Sequence, residues 1–382
     1  MLINSLAFVL EKSHCLEPFW AKLDKGEDAA IGVASSARPF LVAARFACRP
    51  QPTLVIVAGE ESAVAFARSV AAYLGDDKVL RFPERTDTPF VPKRPDFSAA
   101  ARRMRAAWAL QEGREVVVVA SARSLVRRIP PVQACAAAPL FLRAGFELGA
   151  MEQPTRSRSL NDYEDVLRSL EARGYENTGE LDGPGTFAAR GGTIDVYPGN
   201  LSYPVRLDFF GDELEEIRRI IPSTGQTVSS LEEVEVHPVL EFETTPQTMA
   251  QARKKLKRPA ASNPVLRAML ENLEGGMRFD GADGLLPYLY EETATLGDYV
   301  AKGSLVSLME PRSLMDDMAH ALDELSVKAK GSGLALDSLY ASAESASFGD
   351  ALRATYVSIM QVGGLLDAEL PVKRSEERRV GK

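Results

Sequence analysis

The chain has 382 residues, 45% apolar and 26% charged, with 53 acidic against 45 basic side chains and a formal charge of −8. This composition excludes overall disorder and suits two or three globular domains. The acidic balance excludes a whole-chain basic field for nucleic acid or a membrane surface, so any such binding would have to be local.

The opening MLINSLAFVLEKSH has a short apolar run but no basic leader and no small-residue cleavage site, and no run reaches about 18 apolar residues. Neither an export signal nor a membrane span is expected. From Ala29 to about Arg128, the β-rich runs AAIGVA, PTLVIVAG and EVVVVAS alternate with helical stretches that end at Gly75 and Gly113, predicting a parallel α/β sheet. In the second helical stretch Met104, Ala107 and Trp108 make an apolar stripe, with Arg102, Arg103 and Arg105 expected toward solvent or its edge. After PPVQACAAAP, Ser159 or Asn161 is expected to cap a helix with Tyr163, Val166, Leu167 and Leu170 on one stripe, stopped by Gly174. GTFAARGGTIDVYP, YPVRLDFFGDELEEIRRI and TVSSLEEVEVHPV then predict an antiparallel meander, with turns at Pro198-Gly199 and Thr224-Gly225.

From Pro246 helices return, with one buried strand at GSLVSLME; the basic run ARKKLKRP at 252–259 reads as a solvated helix face. The fold predicted is an α/β domain formed by residues 1–128 and 240–366, interrupted by an inserted α+β module at 140–236, with a flexible tail at 367–382.

Chemistry is sparse. Cys15, Cys48 and Cys135 stand far apart without a C-x-x-C pair, which argues against a disulfide framework or structural zinc and for a reducing cytoplasm. His14, His237 and His320 are isolated from one another, and structural or surface roles are expected for them. IGVASSARPFLVAARF lies where a strand feeds a helix, the place of a phosphate loop. On the pattern G-x-x-x-x-G-K-[ST] only Gly32 fits, while Ala37, Arg38 and Pro39 replace the second glycine, the lysine and the hydroxyl residue. Ala37 adds a Cβ where backbone must approach phosphate, and Pro39 lacks both an N–H and the magnesium-holding hydroxyl. The strand that should end in Asp-Glu ends instead in Met309, Glu310 and Pro311. No nucleotide, no metal and no catalytic residue are expected in this chain.

In YPVRLDFFGDELEE, Val205, Leu207 and Phe209 share one strand face, and Arg206, Asp208 and Phe210 the other. A solvated face ordinarily carries Thr, Lys or Ser. A purely structural reading pairs Arg206 and Asp208 across neighbouring strands for less than about 1 kcal/mol; Phe210 has no place in it.

The block from Phe187 to Pro238, with its R-G-G-x-x-D-[VIL]-[YF]-P run, its R-[LV]-[DE]-F-F-G-[DE]-E run and its T-G-Q turn, resembles the UvrB-like region of the bacterial transcription-repair coupling factors (Mfd). Weaker similarity extends over roughly residues 25 to 366, the front third of such a factor. The resemblance implies a degenerate helicase-like domain that neither binds nor hydrolyses ATP and an inserted domain that docks onto UvrA. ATP and magnesium, double-stranded DNA and RNA polymerase would be handled by family regions absent here. It also implies that Arg206, Asp208, Phe210 and Arg190 contact UvrA, while Ala188 replaces a further arginine found in UvrB. By alternation Arg190 would point inward with Ile194 and Val196, so Gly191-Gly192 is expected to form a bulge within one strand that turns it outward beside Asp195. The alternative function is an ATP-dependent repair helicase subunit of the UvrB type, which an intact G-K-[ST] would have supported.

Overall fold

The computed structural model describes residues 16–358, apart from 86, 92, 94, 156–158, 244, 276–278 and 344–347, together with a two-residue strand at Ala368–Glu369. His14, Cys15 and the rest of the tail lie outside the described residues.

The first strands are β1 (Ala29–Gly32), β2 (Thr53–Val57), β3 (Val79–Phe82) and β4 (Val117–Ser121). Apart from Thr53 and Ser121 at their ends, β2 and β4 are runs of Val, Leu, Ile and Ala, and they are buried at every position, as central strands covered on both faces must be. Leu54 and Ile56 enter the core on one side of the sheet, Val55 and Val57 the core on the other. β3 escapes the sequence reading because it is four residues long and alternates half-buried with buried positions, as befits an edge strand paired with β4 alone.

The helix Phe97–Gln111, capped by Asp96, serves two cores at once. Met104 and Trp108 pack under the parallel sheet, while Ala101 joins the core of the following module. This corrects the expectation for Arg103. With both sides of the helix covered, Arg103 is fully buried and donates to Glu241 Oε1 (2.5 Å) and to the Pro83 carbonyl (2.9 Å), its guanidinium 4.0 Å over the Phe82 ring.

The module opens with β5 (Leu140–Arg143) and β6 (Phe146–Glu147). Its helix, Tyr163–Ala172, is capped by Asp162 rather than by Ser159 or Asn161: the Asp162 carboxylate accepts from the Asp165 amide at 2.8 Å. Then follow β7 (Glu176–Asn177), β8 (Thr186–Arg190), β9 (Thr193–Val196), β10 (Val205–Phe210), β11 (Glu213–Ile220), β12 (Thr227–Leu231) and β13 (Glu233–Val236). The sheet order is β12-β11-β10-β9-β8-β7, antiparallel except for the β7–β8 pair, with β6 beside β11. β13 returns to pair with β5, so the strands that enter and leave the module lie side by side. Val166 and Leu170 of the helix pack in one core with Phe187, Ile194, Val205, Leu207 and Ile217 of the strands.

The chain then completes the first sheet with β14 (Leu305–Met309), β15 (Leu352–Val357) and β16 (Ala368–Glu369). The order is β16-β1-β15-β14-β2-β4-β3, and every pairing is parallel. β14 and β15 separate β1 from β2, so the sheet is continuous only with strands from both sides of the module. β16, lying against β1, places an edge strand inside the tail that was expected to be flexible from 367.

Two features join module and parent domain. A Cβ on Gly199 would lie 2.7 Å from the Ala101 Cβ and 2.7 Å from the Phe97 carbonyl, so only glycine lets this turn rest on the shared helix. Glu241, on the segment leaving the module, meets Arg103, Arg127 (3.4 Å) and Arg85 (3.6 Å) in a buried cluster, where Arg127 also pairs with Asp283. Among the described residues no helix is long and apolar enough to cross a membrane.

Candidate docking surface and the degenerate phosphate loop

β1 delivers Gly32 to the C-terminal edge of the parallel sheet, and Ala37 leads into the helix Arg38–Cys48 with Pro39 in its first turn, where a missing N–H is tolerated. Arg38 turns back under the loop. It is 5% exposed, ion-paired with Glu310 and donates to Ser358 Oγ at 3.1 Å. Ser358 also donates to Glu310 Oε1 at 2.5 Å. Burial by itself would raise the Glu310 carboxyl, but Ser358 and Arg38 outweigh it and hold it below the usual carboxylate range. Glu310 adopts a left-handed backbone (φ 56°), a conformation of about 1–3 kcal/mol that persists where neighbours dictate it. The two positions that should bind phosphate and magnesium thus hold each other. These residues do not fit a magnesium nucleotide: the cation is committed to Glu310, and neither Ala37 nor Pro39 brings a hydroxyl. Among the described residues no cluster of His, Cys, Asp and Glu is suited to a metal.

The two histidines among the described residues each sit beside a carboxylate. Buried His237 lies 3.4 Å from Glu235, and exposed His320 lies 3.2 Å from Glu324 one helical turn on.

The outward face of the module is built rung by rung. Val205, Leu207 and Phe209 point into the core, so the strand phase read from the sequence is the observed one. Arg190 also points outward, but for a different reason than expected. Gly191 (φ 60°) and Gly192 are a two-residue hairpin turn between β8 and β9, not a bulge within one strand. Antiparallel partners share a face, so Arg190 opposite Thr193 joins the side of Thr193 and Asp195. Thr193 faces Asp208 and Asp195 faces Arg206 across the next pair, while Arg206 and Asp208 face Arg218 and Glu216 on β11. One rung reads Ala188, Asp195, Arg206, Arg218 and Ser230; the next reads Arg190, Thr193, Asp208 and Glu216.

Arg206 donates Nε and Nη2 to the two Asp195 oxygens at 2.6 and 2.7 Å. Arg218 donates Nε and Nη2 to Asp208 Oδ2 at 2.9 and 2.5 Å, and Thr193 Oγ1 donates to Asp208 Oδ1 at 3.2 Å. Arg190 donates to the Gly179 carbonyl at 2.6 Å and stays largely exposed. Phe210, beyond these pairs and just before the turn at Gly211, is 75% exposed, more than any other large apolar side chain among the described residues. Ala188, the departure from the UvrB pattern, is 4% exposed and contributes no polar group. Sequence reading placed Arg190, Arg206, Asp208 and Phe210 on one outward face, as the strand register does, but did not place Arg218 and Thr193 there; the even spacing of Glu216 and Arg218 on the next strand was the available signal, hidden by a bulge at Glu215.

The module that carries this face is inserted in a helicase-like parallel-sheet domain, and residues 157–242 match the UvrB interaction domain family. More particularly, the chain matches an N-terminal region of the transcription-repair-coupling factors. It is 30% identical over 281 residues to that of Myxococcus xanthus (70% of this chain, 22% of the relative). It is 25% identical over 300 residues to that of Bacillus subtilis (74% and 24%) and 26% identical over 366 residues to that of Mycobacterium tuberculosis (91% and 27%). The chain spans about a quarter of the length of these relatives.

Proposed function

We propose that this chain is the UvrA-recruiting module of a transcription-repair coupling factor, acting in the cytoplasm and catalytically silent by itself. One observation carries the proposal: Arg190, Arg206, Asp208 and Phe210 share one outward face, and Phe210 is exposed there without a structural task. A large aromatic ring held in water beside oriented arginines has the composition of an interface hot spot. ATP-driven DNA translocation and displacement of stalled RNA polymerase belong, on this reading, to parts of the longer relatives beyond the matched region. The alternative, a UvrB-type helicase subunit, is disfavoured by the commitment of Arg38 to Glu310. A pull-down with UvrA, with and without competing UvrB, tests the proposal: capture that UvrB displaces and that Phe210→Ala abolishes supports it, and absence of capture by the parent chain refutes it.

A further inference from the structure

Arg206 and Arg218 stand directly opposite each other on adjacent antiparallel strands. Like charges in that position oppose sheet formation. The module accommodates them by giving each its own carboxylate, Asp195 for Arg206 and Asp208 for Arg218, with Thr193 closing the second oxygen of Asp208. Four charges are therefore spent where two threonines would make an unstrained exposed pair. Each guanidinium has five N–H donors and uses two on its carboxylate, leaving about three. Arg206 grips both oxygens of Asp195 and Arg218 holds one oxygen of Asp208 with two nitrogens, so both guanidinium planes are held and the remaining donors are aimed before any partner arrives. Arg218 Nε also lies 3.5 Å from Glu216 Oε2, a looser contact that takes no N–H from Nη1; across this rung the supply of donors still exceeds that of acceptors, and Glu213 and Glu216 lie toward the Phe210 end.

We propose that Arg218 is a further docking residue, and that the partner brings a carboxylate side chain onto the Arg206–Arg218 rung, roughly 13 Å along the strand from an apolar recess that receives Phe210. The inference rests on the docking reading above. Arg219 supplies an internal comparison. It is the next residue on the same strand and is exposed where Arg218 is half-buried, but it lies opposite inward-facing Val205 and stacks 4.4 Å over the Tyr203 ring.

The test is calorimetric titration of the full chain with UvrA, comparing the parent with Phe210→Ala, Arg218→Ala, Arg218→Lys, Arg218→Gln and Arg219→Ala. The expected result is a loss of at least about tenfold for Arg218→Ala and Arg218→Gln. Arg218→Lys should fall nearly as far, because an ammonium cannot grip Asp208 and reach outward together, while Arg219→Ala should stay within about twofold. The affinity of the parent should also drop more steeply with salt than that of Arg218→Gln, a difference a merely structural role would not produce. Arg218→Gln keeps the stem of the side chain and serves should Arg218→Ala fail to fold. Weak binding by Phe210→Ala with parental binding and salt dependence in Arg218→Gln overturns this inference and leaves the docking reading standing. Parental binding by Phe210→Ala overturns both.

Discussion

Arg38 and Glu310, 272 positions apart in the chain, are ion-paired across the C-terminal edge of the parallel sheet. One comes from the loop after β1, the other from the end of β14, and Ser358 after β15 bonds to both. Three neighbouring strands are thus closed at the edge where α/β domains ordinarily admit a ligand. Removing one partner of a buried pair leaves the other charge stranded. Arg38→Ala should therefore lower the free energy of unfolding by about 3 kcal/mol in urea titrations; a loss under about 1 kcal/mol would mark the pair as incidental.

The chain should neither bind nor hydrolyse ATP. Titration with ATP and magnesium should release no saturable heat in the micromolar range, and a one-to-one isotherm would refute this. The double variant Arg38→Lys with Pro39→Thr should also fail to hydrolyse ATP, because β14 still ends in Glu310 and Pro311 rather than in a pair of carboxylates.

Phe210→Ala and Arg206→Ala should each weaken UvrA binding by about thirtyfold, the loss of an anchor worth on the order of 2 kcal/mol. Their effects on the fold should differ. Phe210 is mostly in water, so its melting temperature should match the parent, whereas Arg206→Ala leaves Asp195 unpaired on the sheet and should cost about 1 kcal/mol. Normal binding by both would return the strand to a purely structural role.

Acid should weaken the junction between module and parent domain. Burial would raise the Glu241 carboxyl, but Arg103, Arg85 and Arg127 outweigh it and hold the group down at about 2 from an ordinary 4.5. A depressed carboxyl contributes stability above its unfolded value, and that contribution is lost as pH falls from about 4.5 toward about 2. Urea midpoints should drop through this window for the parent. Glu241→Gln should start lower, with Arg103 stranded, and follow a shallower pH dependence; parallel curves would exclude Glu241 as a source of the acid sensitivity.

Gly199→Ala should destabilise the whole chain by about 1–3 kcal/mol, since the added methyl meets Ala101 and backbone that cannot yield. Thermal unfolding of the variant beside Gly211→Ala, whose added Cβ meets nothing within 4 Å, separates crowding from the strain of replacing glycine in a turn.

What could be read from sequence was whatever depends on local periodicity. β2, β4, β10 and β14 stand where continuous or alternating apolar runs place them, and the phase of Val205, Leu207 and Phe209 settled which side of β10 faces out. The loss of Lys and Ser/Thr after Gly32 was likewise a matter of residue identity. Tertiary structure decided what depends on residues far apart in the chain. Arg103 looks like a surface arginine on one helix alone; it is buried because Glu241, 138 positions later, supplies the compensating charge. β3 is too short to announce itself, and exists because β4 offers it an edge. Arg190 faces outward because a hairpin, rather than a bulge, reverses the chain at Gly191-Gly192, and only the pairing of β8 with β9 distinguishes the two. Arg218 acquired its meaning the same way: a bulge at Glu215 shifts the register of β11, so the residue facing Arg206 was fixed by strand pairing and not by spacing along the chain.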